Sequence, residues 1–291
     1  MACRAVTLLT GVHDPEGRLA ALVPTELPLL RRHYATMVAI CGVGTPPRTT
    51  ELLRQHNVTV IEGDAIPVNA RPYTLGVAQA HPEWAHIHLC DFDSALHWAR
   101  HWPDELDRVN ATITRHDFLL LGRTARAMAS LPDAQRETER LINVLFDRTT
   151  ANLPPLPHTS GVVGFSLRER SQAEAYDTEE TLIDICTGAW GFSQRGITAL
   201  RARAHVTDIG FHAEWPLIMR EIPGLRCGYL PCEGLEYETA DRYADQITAA
   251  GGIDAWHAAQ NADIDRWQHR LSYVTQVAET IARYQGAQSG D

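Results

Sequence analysis

Ala85-His-Ile-His-Leu-Cys-Asp-Phe-Asp-Ser-Ala-Leu-His-Trp98 joins a short apolar run to a helix-like stretch through Asp91-x-Asp93. The run has the length and composition of a buried strand. Two carboxylates at its C-terminal end are placed to hold a divalent cation, which can bridge the phosphates of a nucleotide. Upstream, the apolar runs Ala5–Thr10, Thr36–Cys41 and Val58–Glu62 alternate with helix-like stretches near Thr25–His33, Thr49–His56 and Tyr73–His81. This alternation predicts βαβ units, hence an α/β fold with an open, mostly parallel sheet flanked by helices. Ligands on such sheets bind beyond the C-terminal strand ends. Those ends carry Thr10-Gly11-Val12-His13-Asp14, Cys41-Gly42-Val43-Gly44, Glu62-Gly63-Asp64 and Cys90-Asp91-Phe92-Asp93. A second pair, Asp263-x-Asp265, sits in a polar helical stretch and reads as a solvated face.

Past Asp93 the alternation fades. Asp117–Gly122 reads as a strand, Ala134–Arg148 as a helix and Asn152–Pro157 as a proline-rich connector. Thr181–Cys186 is predicted to be a short strand, followed by Thr187-Gly188-Ala189-Trp190-Gly191 and a helix from about Ser193. Residues 226–231 read as a last strand. From Ala240 to Tyr284 the pattern is helical, broken at Gly251-Gly252. The expected organisation is a catalytic domain over 1–239, with a nucleotide-binding half (1–100) and an acceptor half (101–239), and a helical extension over 240–291. Trp256, Trp267 and Tyr273 in that extension suggest a packing face, with a homo-oligomer contact through the C-terminal helices as one use of it.

Composition narrows the function. The net charge of −10 and pI near 5.8 lack the basic footprint of a nonspecific nucleic-acid binder, so no nucleic-acid partner is expected. No apolar run has the length of a transmembrane segment, and the first residues read as a strand rather than a secretion signal. The 6 cysteines form no CxxC pair, and a cytoplasmic location is expected. All 26 basic residues are arginine. The absence of lysine excludes Schiff-base chemistry on lysine and a Walker-A loop. An anionic substrate must therefore be held by arginine, backbone amides or a metal. Neither Gly11 nor Gly42-Val43-Gly44 completes a GxGxxG dinucleotide fingerprint.

The remaining features, in their order, resemble the nucleotide-sugar glycosyltransferases of the GT-A fold, family-2-like, over roughly residues 4–240. They are the βαβ half ending in Asp91-x-Asp93 and the glycine-containing stretch Thr187–Arg195. Gly210-Phe-His-Ala-Glu-Trp-Pro-Leu217 follows, and then Cys227-Gly-Tyr-Leu-Pro231. The resemblance implies transfer of a sugar from a UDP- or GDP-linked donor to an unidentified hydroxyl acceptor. It implies Mn²⁺ or Mg²⁺ on Asp91 and Asp93, with His212 as a further metal ligand if the mechanism is retaining. Thr10, Gly11 and His13 would line the nucleotide pocket, with Glu62 or Asp64 near the base or ribose. Glu214 would be the catalytic base, although Trp215 stands where a second acid is often found. Arg123 and Arg195 are candidate phosphate clamps, and Gly188 and Trp190 candidate acceptor contacts. Each has a structural alternative: helix capping for the two aspartates, the helix dipole for Glu214, surface ion pairs for the arginines and core packing for Trp190.

Two other functions fit parts of the sequence. Ile87–Leu96 also resembles the first motif of haloacid-dehalogenase-type phosphatases, which would make Asp91 a nucleophile and Asp93 an acid/base. Three preceding strands and the missing lysine weigh against it. A non-catalytic nucleotide- or glycan-binding protein would account for Trp215.

Overall fold

The computed structural model describes residues 5–63, 66, 71–159 and 182–289. The first half follows the predicted alternation closely. β1 (Val6–Val12), α1 (Leu19–Leu30), β2 (Thr36–Cys41), α2 (Pro47–Gln55) and β3 (Thr59–Glu62) come first. Next are α3 (Arg71–Ala80), β4 (His86–Asp91), α4 (Phe92–His101), α5 (Pro103–Ile113) and β5 (Phe118–Arg123). α1 starts earlier than its sequence suggests because it contains Pro24 and Pro28. Each ring removes one backbone hydrogen bond, which makes the stretch read as a breaker.

The second half comprises α6 (Ala125–Ala129), α7 (Asp133–Thr149), β6 (Trp190–Ser193), α8 (Gln194–Arg201), α9 (Phe211–Glu221) and β7 (Cys227–Cys232). α10 (Thr239–Arg242), α11 (Ala244–Ala250), α12 (Ile253–Asn261) and α13 (Ile264–Ser289) complete the chain. Here one expectation fails: residues 182–186 form no strand, and the strand lies at β6. The physical reason is local. The Ile185 N–H donates to Asn143 Oδ1 (3.0 Å), and the Cys186 N–H to the Asp184 carboxylate (3.2 Å). Side chains thus take the donors a ladder would need.

The sheet order is β3-β2-β1-β4-β6-β5-β7. β6 runs antiparallel to both neighbours, and every other pairing is parallel. Alternate residues of each strand feed two cores, as the period of a doubly covered strand requires. Val6, Leu8, Met37, Ala39 and Leu119 face α1, α4 and α5 through Leu27, Leu96 and Val109. Leu9, Val38, Ile87, Leu120 and Trp190 face α3, α7, α8 and α9 through Leu75, Ile142, Leu200 and Trp215. Val277 and Ile281 of α13 belong to this second core. The C-terminal helix therefore packs on its own chain, against α7 and α9. Among the described residues no helix is long and apolar enough to cross a membrane.

Candidate active site

The strand order reverses between β1 and β4, which opens a crevice at their C-terminal ends. Register places Gly11 opposite Asp91 across that switch point. Two adjoining cavities lie there, of about 240 Å³ and about 430 Å³, and they share Arg71, Asp91, Ile209 and Tyr273. Tyr273 and Gln276 come from α13, so the C-terminal helix walls the crevice as well as completing the core.

Arg71, the first residue of α3, occupies the centre. Its Nε donates to Asp91 Oδ1 at 3.1 Å and a terminal nitrogen donates to Oδ2, a bidentate pair. Its other terminal nitrogen lies 3.3 Å from His212 Nε2, and the guanidinium stacks over Trp190 and Phe211 at 5.9 and 6.0 Å. The His212 Nδ1–H donates to the Ile185 carbonyl (2.8 Å), which fixes the tautomer and turns a bare Nε2 toward Arg71. Burial, and then the Arg71 charge, push the His212 pKa down to about 3, so it accepts as a neutral ring.

Gly188 makes room for this guanidinium. Its φ is +69°, and a Cβ there would stand 2.6 Å from Arg71 Cζ. Beside Asp91, Asp93 opens α4. Its Oδ2 pairs with Arg242 at 3.0 Å, and its Oδ1 accepts from the Ser94 N–H. Glu238 lines the smaller cavity. Burial, and then the charge of Asp93, hold its carboxyl above the usual carboxylate range.

The predicted site residues divide by position. Gly11, His13, Asp91 and Asp93 line the larger cavity, and Asp91, Arg123 and His212 the smaller. Thr10 is buried in β1 below the crevice. Glu62 ends β3, away from both cavities, and pairs with Arg54. Asp64 lies outside the described residues. Arg123 is buried and fully committed to Asp184 and Glu139. Arg195 follows β6, whose Ser193 pairs with His86 at the start of β4. It therefore sits at the opposite end of the sheet, near Asp117. The Glu214 carboxylate accepts from the His205 and Val206 backbone N–H groups (2.8 and 3.1 Å) and lines neither cavity. Trp190 and Trp215 are fully buried, their rings 5.0 Å apart. Trp190 thus floors Arg71 rather than facing a sugar.

Arg71, Glu238 and Arg242 escaped the sequence reading, and Tyr273, expected only on a packing face, lines both cavities. The strand-end rule that singled out Asp91 applies equally to the segment after β7, where Glu238 precedes α10 and Arg242 ends it. Pro72 behind Arg71 marked a helix start but not its proximity to Asp91.

Asp91 and Asp93 suit a hard divalent cation in donor type. A carboxylate has about four lone-pair sites, and Arg71 uses two of those on Asp91. His212 does not suit it, because its Nε2 faces a guanidinium. Among the described residues around the two cavities, Arg71, Arg123, Arg242 and Arg270 face Asp91, Asp93, Glu139, Asp208 and Glu238, with no surplus of positive charge. Compared with models of known protein families and with curated proteins, the chain finds no match.

Proposed function

We propose that the protein is a glycosyltransferase that binds a nucleoside-diphosphate sugar in the crevice between β1 and β4. One observation carries the reading: Asp91-x-Asp93 lies at the end of β4 at the switch point of the sheet, across from Gly11 of β1. Mn²⁺ or Mg²⁺ on Asp91 and Asp93 would neutralise the departing diphosphate. Arg71 holds the Asp91 carboxylate in one orientation, and Arg242 does the same for Asp93. The nucleotide fits the larger cavity, beside Gly11 and His13. Glu238, in its ionised form, accepts the proton of the acceptor hydroxyl in the smaller cavity. Glu214 has no such part here, since backbone amides consume its acceptor capacity. A phosphatase reading is disfavoured, because three strands precede the one that Asp91 ends and the chain has no lysine.

The test is turnover. Purified protein is incubated with UDP- and GDP-sugars, Mn²⁺ and a panel of hydroxyl acceptors, and free nucleotide diphosphate is quantified. Acceptor-dependent release supports the proposal. Tight binding of a donor without release over the whole panel points to a binding protein, and release of inorganic phosphate from phosphomonoesters points to a phosphatase.

A further inference from the structure

His97 and His101 stand one turn apart on α4, and Asp241 of α10 meets them, with one ligand atom of each within 4.8 Å of the others. None of the three lines the crevice cavities. His97 is buried, whereas His101 is open to solvent, which leaves an entry path and space for a water.

The surroundings of His97 carry the argument further than the cluster alone. Its Nδ1 faces Asp241 Oδ2 at 2.7 Å, and its Nε2 faces Glu236 Oε1 at 3.0 Å. Glu236 is itself fixed by the Trp102 indole N–H (2.9 Å) and by Arg126 (2.6 Å). A ligating imidazole whose other nitrogen donates to an anchored carboxylate is the arrangement that orients and strengthens metal-binding histidines.

We propose that His97, His101 and Asp241 form a transition-metal site of the Zn²⁺ class, with Glu236 orienting His97. Two imidazoles and one carboxylate select a borderline cation over Mg²⁺, so this site differs in kind from the two aspartates of the crevice. A zinc ion sits about 2.0–2.2 Å from nitrogen and oxygen ligands. Asp241 Oδ2 must therefore draw back from His97 Nδ1 by about half an ångström, and any proton on Nδ1 leaves to solvent. Asp241 lies between Glu238 and Arg242, and Arg242 holds Asp93. The metal thus pins α10 to α4 and fixes two residues of the crevice. The site stands on its own residues and does not depend on the glycosyltransferase reading.

The experiment titrates metal-free full-length protein with Zn²⁺, and with Co²⁺ as a visible reporter of coordination. One equivalent binds in the micromolar range or tighter, with Co²⁺ absorption typical of a four-coordinate site. His101→Asn, at an exposed position, weakens binding roughly a hundredfold without lowering the melting temperature of the metal-free protein. Glu236→Gln weakens it by about 10- to 100-fold, and Asp91→Asn leaves it unchanged. Absence of stoichiometric binding overturns the proposal, as does binding that His101→Asn leaves intact or that Asp91→Asn abolishes.

Discussion

Gly188→Ala tests the geometry of the crevice without touching a charged group. At φ +69° an alanine costs about 1–2 kcal/mol in backbone strain alone. The chain cannot easily move away. Thr187 Oγ1 donates to the Leu121 carbonyl, and Leu121 N–H donates to the Ala189 carbonyl at 3.2 Å. The new methyl group therefore displaces Arg71 and breaks its bidentate pair with Asp91. Hydrogen bonds to charged groups contribute about 1.5–3 kcal/mol, and the lower part of that range applies because the Asp91 side chain is 34% exposed. The expected total is about 2–4 kcal/mol. In an Arg71→Ala background there is no guanidinium to displace, and only the strain of about 1–2 kcal/mol remains. Urea denaturation of the two single variants and the double variant measures the coupling. If Gly188→Ala costs the same in both backgrounds, to within about 0.5 kcal/mol, the account of Gly188 as the space for Arg71 is refuted.

Two further outcomes are expected. Glu238→Gln should leave donor binding within about twofold of the parent and lower transfer by about 10²–10⁴-fold. Because a base acts when ionised, the parent rate should rise with pH as Glu238, whose carboxyl burial holds above its usual range, loses its proton, and the variant should lose that limb; a pH–rate profile shared by both proteins would remove Glu238 from the chemistry. Arg123→Met should destabilise the fold by about 3–5 kcal/mol, since it strands the buried Asp184 carboxylate and leaves Glu139 with Arg270 as its ion-pair partner. Chemical denaturation checks this, and a cost near zero would show that the pair relaxes into water.

The sheet core was legible because its signal is local. β2 and β4 begin where their apolar runs begin, and a period of two fills both cores. β6 was not legible. Trp190-Gly-Phe-Ser193 is short, and Gly191 breaks its pattern because Ile113 occupies the space of a side chain there. The Asp91–Asp93 pair was found by its place at a strand end, and Gly188 was noticed as a loop glycine, although what it accommodates is Arg71. Arg195 and Glu214 were misplaced relative to the cavities because both depend on which way β6 runs. Arg71 reaches the crevice through tertiary packing, which no spacing in the chain encodes, whereas Glu238 follows the end of β7. The lysine-free composition nevertheless anticipated that arginine would supply the resident positive charge.

The proposed role of Asp91 and Asp93 is to hold a nucleoside diphosphate through a divalent cation. Titration calorimetry of UDP and GDP into the full chain, with Mn²⁺ or with chelator, tests it most directly. The account predicts one-to-one binding of at least one nucleotide that requires the metal and disappears in Asp91→Asn while the melting temperature stays close to the parent's. Binding that survives in Asp91→Asn, or no binding of either nucleotide with Mn²⁺ or Mg²⁺ present, would contradict it.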